Sequence, residues 1–158
     1  MVFESRDVAA YIAQECKKRG LEYNNTKIQK LLYCAYGCLL AWKGERICDE
    51  YPRAWQFGPV FPRVFRYIHK RGDIALHSSV VADAPENEKA SLVQVVDKVL
   101  EVFGKMSASA LSAWSHKAGS PWDIVVNGDS TNEAAGMNSF MPDEFIRHYF
   151  REKVLQGA

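Results

Sequence analysis

The side chains in this sequence best suited to nucleophilic or metal chemistry are its four cysteines and four histidines. His69, His77, His116 and His148 lie far apart and form no H-x-x-x-H pair, and Cys16, Cys34, Cys38 and Cys48 include no C-x-x-C pair, so metal-ligand spacing is missing. Cys34 and Cys38 fall one helical turn apart and could share an ion with a histidine from elsewhere. Packing as small hydrophobes is the stronger reading, because three of the four cysteines sit in apolar helical patterns. A cysteine nucleophile partnered by His116 lacks a local signature around any thiol. G-x-G-x-x-G, phosphate-loop and G-x-S-x-G patterns are absent, which removes the starting evidence for dinucleotide, nucleotide and serine-hydrolase chemistry. The acid pairs Asp49-Glu50 and Asp143-Glu144 read as a turn and a helix start, where a carboxylate suits the positive end of the helix dipole.

Binding chemistry is better represented than catalysis. Arg53, Arg63, Arg66, Lys70 and Arg71 interleave with Trp55, Phe57, Phe61, Phe65 and Tyr67, the densest basic and aromatic stretch of the chain. Arginine beside tryptophan is the composition of interface hot spots, and Arg53, Trp55, Phe57, Phe61, Arg63 and Arg66 are the expected partner contacts. The plainer alternative makes the aromatics core and the arginines solvated surface. A net charge of +1 weakens a nucleic-acid version, since non-specific affinity for DNA comes largely from phosphate neutralisation.

One helix is the element around which the rest of the chain is organised. In Asn24 to Trp42, Thr26 and Gln29 have capping-box spacing, which predicts a helix from near Lys27. Leu31 to Trp42 carries no charge, and its apolar residues leave almost no wet face. A membrane span needs about 20 apolar residues, and Lys30 and Lys43 close this run well short of that. It is therefore expected to be the buried central helix of a mainly α, compact bundle.

The remaining elements follow in order. A first helix over Ser5 to Arg19 has Ser5 as its cap and a Val8, Ile12, Cys16 stripe, with Gly20 as its stop. Arg46 to Tyr51 is the best strand candidate, within at most a short β element near residues 46–56, and Gly58-Pro59 predicts a tight turn. A third helix spans Pro62 to Arg71 with Val64, Phe65 and Ile68 inward and Gly72 closing it. After a loop from Asp73 to Ala82, a fourth helix starts with the Asp83 to Glu86 capping spacing and presents Leu92, Val95, Val96, Val99 and Phe103. Ser107 to His116 is a short fifth helix, with Ala108, Leu111 and Trp114 on one side. Ser120-Pro121-Trp122-Asp123 starts a sixth helix through Val126, and Asn127 to Ser139 reads as a surface loop. The last helix, about Pro142 to Leu155, places Phe145, Ile146, Tyr149 and Phe150 on one face.

At 158 residues the chain fits one domain, which buries about 68–70% of the surface its unfolded form exposes. Charged residues at 25% and hydrophobic residues at 47% describe an ordinary globular protein. The first residues lack the apolar run of a secretory signal, so a cytoplasmic location with reduced thiols and no membrane attachment is expected.

Taken together and in order, Lys27-Ile28-Gln29-Lys30-Leu31-Leu32-Tyr33, Ala54-Trp55 with Gly58-Pro59-Val60, Ser112 to His116 ahead of Pro121-Trp122, and Phe145-Ile146 before Tyr149-Phe150 resemble the Panacea antitoxin domain. This is the family of the phage-associated GepA-like and the SocA-like antitoxins. The resemblance implies a mainly helical, non-enzymatic domain without a cofactor, encoded beside a toxin that it neutralises by direct contact. In the SocA-like branch it implies delivery of that toxin to a ClpXP-type protease. The family elements fall here on Lys27, Gln29, Lys30, Leu31, Tyr33, Trp55, Gly58, Pro59, His116 and Trp122. Leu31 reads as core, and Gly58 and Pro59 as setters of backbone geometry. Gln29, Tyr33, Trp55 and His116 suit either a buried hydrogen-bond cluster or a contact surface, with the structural role favoured. Two other functions stay open: a DNA-binding autoregulator of its operon, and a thiol- or histidine-dependent enzyme.

Overall fold

The structure is a computed structural model that describes residues 2–71, 76–128 and 138–155. Its elements are α1 (Ser5–Lys18), α2 (Asn25–Lys43), β1 (Arg53–Trp55), β2 (Gly58–Val60), α3 (Pro62–Arg71), α4 (Glu86–Phe103), α5 (Ala108–Ser115), α6 (Pro121–Asn127) and α7 (Asp143–Phe150). A π-helical turn, Arg151–Leu155, continues α7. The fold is mainly α, as the periodicity predicts.

The uncharged helix is the axis of the molecule. Every residue from Lys27 to Ala41 is buried, and α1, α3, α4, α5, α7 and β2 all pack on α2. Trp42, expected at the end of the buried rod, is instead nearly half exposed. The start also differs: Asn24 caps α2 by accepting the Lys27 N–H at 2.8 Å, so Thr26 is not the cap. No capping box forms, because Gln29 is drawn away to Phe61. Gly44 ends the helix in the left-handed conformation that glycine enters at least cost.

α1 buries Val8, Ile12 and Cys16, but Ser5 is its first helical residue rather than its cap. The Ser5 N–H donates to Asp49 Oδ1 at 3.1 Å and its hydroxyl to Glu50 Oε1 at 2.7 Å. The acids read as a solvated turn thus hold the helix start from 44 residues away.

The β element is shorter and later than expected. Within Arg46 to Tyr51, Cys48 makes a lone parallel bridge to Phe3, and the strands are β1 and β2, paired antiparallel with Ala54 opposite Pro59. The turn lies at Gln56-Phe57, and Gly58-Pro59 belongs to β2. Ala54 spends its N–H on Ser139 O (2.9 Å) and its carbonyl on Asn138 N (2.6 Å). Pro59 therefore sits opposite a residue that asks nothing of the N–H it lacks.

α3 matches its expected range, with Val64 and Ile68 buried and Phe65 only half-buried. α4 starts at Glu86 after Pro85, three residues beyond Asp83, and all five of its expected apolar residues are buried. Ser107 and Ser120 cap α5 and α6 through their hydroxyls. On α7, Ile146 and Phe150 are buried, Tyr149 is half-buried and Phe145 is exposed. Gly72, most of the Asn127–Ser139 segment and the last three residues lie outside the described residues. Leu76 and Val81, in the stretch expected to be a loose loop, are buried. All four cysteines are free and buried.

Candidate partner-binding groove

The expected contact stretch folds into one wall of a groove of about 570 Å³ between the 49–51 turn, β1 and α3. Its other wall comes from Asn138 and Phe140, which the β1 bridge brings across 85 residues of sequence. Arg53 lies with its guanidinium 3.8 Å over the Phe140 ring while donating to Asn138 O at 2.8 Å. Phe140 meets Tyr51 edge-on at 6.1 Å, and Arg46 covers Tyr51 at 4.6 Å. The result is a surface ladder of alternating cation and ring. With one face of each ring taken by an arginine, Phe140 is still 55% exposed and Tyr51 44% among the described residues, a large apolar area for two neighbouring side chains.

Trp55 holds the two walls together. Its indole N–H donates to Asn138 Oδ1 at 3.0 Å, its carbonyl accepts the Trp122 indole N–H at 2.6 Å, and its ring meets Phe65 edge-on at 5.2 Å. Arg63 closes the far side against Asp49, with guanidinium contacts of 2.9 and 3.2 Å and a third to the Asp49 carbonyl. The Asp49 hydrogen bond raises the Arg63 pKa. The Arg63 N–H donates to Glu50 Oε2 at 2.7 Å, so the same acids cap α1 and brace α3.

Not every expected contact residue reaches this surface. Phe61 is fully buried, tilted against Tyr36 at 5.7 Å, and is a core residue. Phe57 is 66% exposed but stands at the hairpin tip, outside the groove. Arg53, Trp55, Arg63 and Arg66 line it. Tyr51, Asn138, Phe140 and Arg46 were missed because their role depends on pairing between segments distant in sequence.

Apart from Trp55 and the half-buried His116, the family-motif residues form a buried scaffold. Gln29 mimics a peptide, accepting the Phe61 N–H at 2.8 Å and donating to Phe61 O at 3.2 Å. Lys30 donates to Pro59 O at 2.9 Å, and Lys27 to Gly104 O at 2.7 Å, where its charge meets the negative end of α4. Gly58 has φ +116°, and a Cβ there would stand 2.5 Å from Ser115 Oγ and 3.3 Å from Lys30 Nζ. Leu31 is core, the Tyr33 ring meets Phe150 at 5.4 Å, and His116 packs against Trp122 at 5.2 Å. The Tyr33 hydroxyl and His116 Nδ1 are buried without a hydrogen-bond partner among the described residues. These residues pin β2 and α5 to α2, which fixes where β1 presents Arg53 and Trp55.

The thiols are poor nucleophiles. Burial pushes the Cys38 and Cys48 pKa values up to about 12 and that of Cys34 well above the ordinary range. Among the described residues no three His, Cys, Asp or Glu side chains are placed to hold a metal ion. A larger open depression of about 930 Å³, between the end of α1 and the start of α5, contains Lys27, whose cation already caps α4.

Burial gives Lys30 a measurable signature, since it lowers the ammonium pKa to about 8. The folded state then releases this proton near pH 8 while the unfolded chain holds it to about 10.4. Stability contributed by this group rises with pH across that window and is lost as pH falls through 8. Relative to Lys30→Met, the wild type should gain about 2 kcal/mol between pH 7.5 and 9.5 in denaturant melts. The raised pKa values of Cys38, Cys48 and Tyr36, which do not depend on Lys30, oppose this in both proteins and cancel in the difference.

Residues 28–123 match the family model described as "Antitoxin SocA-like, Panacea domain". The chain belongs to the Panacea antitoxin family. It is similar to Antitoxin SocA of Caulobacter vibrioides (strain NA1000 / CB15N), with 33% identity over 159 aligned positions that cover 94% of this chain and 82% of that protein. No solved structure matches the chain. An antitoxin role in a toxin–antitoxin system follows from the family, and no helix among the described residues is long and apolar enough to cross a membrane.

Proposed function

We propose that this protein neutralises its cognate toxin by direct, stoichiometric binding through the groove between the 49–51 turn, β1 and α3, without catalysis. The observation that carries the reading is the preformed ladder of Arg46, Tyr51, Phe140 and Arg53, in which large rings stay exposed beside cations already fixed in place. Pre-stacked aromatics and arginines lose little freedom on binding, which is what concentrates affinity in a few interface residues. The buried, high-pKa thiols support binding rather than chemistry.

Co-expression tests this. The product of the gene beside this one should be toxic alone, tolerated together with this protein, and recovered with it as a complex. Phe140→Ala should abolish both rescue and co-purification while leaving a cooperative melt, because Phe140 is surface. A harmless neighbour, or rescue by Phe140→Ala at wild-type level, removes the proposal. Similarity to SocA also supports a second fate for the bound toxin, delivery to a ClpXP-type protease. Toxin half-life in cells with and without that protease separates holding from delivery.

A further inference from the structure

The groove contains three arginines and two carboxylates, and they are not evenly matched. Asp49 accepts from the Ser5 N–H and from the Arg63 guanidinium, and Glu50 accepts from the Ser5 hydroxyl and the Arg63 N–H. Both acids are consumed by the fold and by Arg63. Arg53 and Arg66 pair with no carboxylate among the described residues. Arg53 commits one nitrogen to Asn138 O and is held flat on Phe140, and Arg66 is exposed without a hydrogen bond among the described residues.

We infer that the toxin element seated in this groove is an acidic segment, offering carboxylates to Arg53 and Arg66 and an apolar or aromatic side chain to the exposed faces of Tyr51 and Phe140. The inference rests on the proposed docking role of the groove. A guanidinium fixed over a ring presents its remaining donors as a planar fork, which matches a carboxylate in two parallel hydrogen bonds. That fork at Arg53 and the second exposed cation at Arg66 in one groove select an acidic partner and repel a basic one, which is where charge complementarity supplies specificity. A nucleic-acid strand would also offer anions, but its affinity comes from neutralising many phosphates, and this chain has a net charge of only +1 with two unpaired arginines in the groove.

The probe is the purified toxin encoded beside this gene, titrated against wild-type and variant antitoxin at low and high salt. Arg53→Gln with Arg66→Gln should weaken binding at least tenfold, and Arg53→Glu with Arg66→Glu at least a hundredfold. An Asp→Lys or Glu→Lys change in the toxin should restore binding to the doubly reversed variant by at least tenfold while weakening binding to wild type. Arg66→Glu alone is the control for folding, since the exposed Arg66 side chain makes no hydrogen bond among the described residues and its loss leaves the melt unchanged. Unchanged affinity in the Gln pair together with loss in Phe140→Ala overturns the acidic partner and leaves the docking surface standing. Unchanged affinity in every variant overturns both. Arg53- and Arg66-dependent binding of a mixed-sequence single-stranded oligonucleotide, with toxin binding unaffected, assigns the two cations to phosphate and overturns the inference.

Discussion

Gly37→Val should destabilise the protein by at least about 3 kcal/mol, and Gly37→Ala by about 2 kcal/mol despite alanine's better helix propensity. Gly37 lies in the middle of α2, where α7 crosses it. A Cβ added there would stand 2.6 Å from Phe150 Cγ and closer still to Cδ1 and Cε1. Phe150 cannot yield easily. It is fully buried, and its ring is held by Tyr33 at 5.4 Å, Trp114 at 6.0 Å and Tyr149 at 6.1 Å. The extra atoms must therefore push α7 off the axis of the fold or force Phe150 from its rotamer. Denaturant midpoints at constant slope measure the loss, which is a large share of a typical stability of 5–15 kcal/mol. Phe150→Leu combined with Gly37→Ala should cost less than the sum of the two single changes, because the smaller side chain makes the room that alanine needs. Strict additivity would show that the two residues do not compete for one space.

The same residue shows where reading the sequence stops. The uncharged run from Leu31 announces a buried helix, and α1, α3 and α6 follow from stripes, proline placement and caps that act within a few residues. Gly37 passes there as one more filler on an apolar helix. Its role depends on which side α7 approaches, and that is settled by packing. Of the three cap errors, Asp83 fails for a local reason, since α4 starts only after Pro85. The other two share a cause: Gln29 is claimed by Phe61 and the Ser5 hydroxyl by Glu50, long-range hydrogen bonds that local spacing does not encode. The strand was displaced for a similar reason: three residues of β1 gain their order from Ser139 and Asn138 on one side and β2 on the other, which no local propensity encodes.

For the site, composition located one wall and not the other. Arg53, Trp55, Arg63 and Arg66 were legible as a basic and aromatic cluster, whereas Phe140 and Tyr51 are single aromatics in unremarkable surroundings until β1 bridges them. Phe61 had the right type and the wrong side, since a strand-to-helix junction turns its ring toward Tyr36. The family motif, by contrast, divides cleanly by burial. Apart from Trp55, whose indole faces the groove, and the half-buried His116, its members are buried.

That division can be tested at Gln29. Gln29→Leu should cost about 2 kcal/mol, because it strands the N–H of Phe61, whose carbonyl keeps the Phe65 N–H at 3.0 Å, in a site where Gln29 itself is only 2% exposed. The effect should not be only thermodynamic. Phe61 is the last residue before α3, which carries Arg63 and Arg66, so loosening it lets one wall of the groove drift. At a temperature where the variant remains folded, its affinity for the toxin should fall at least tenfold. Leu31→Ala, a cavity change of about 2–5 kcal/mol at a fully buried position, should leave the affinity of the folded fraction near wild type. Gln29→Glu supplies the chemical control. Its carboxylate can accept the Phe61 N–H but, when ionised, only repels the Phe61 carbonyl. Burial raises the folded-state pKa of such a group, so its folded form binds the proton more tightly than its unfolded form does, and stability relative to wild type should rise as pH falls from 7 to 5. Equal losses of affinity in Gln29→Leu and Leu31→Ala would reduce Gln29 to a generic core residue. Affinity loss confined to Gln29→Leu, recovered with acid in Gln29→Glu, would mark it as the peptide-like clamp that sets the groove's width.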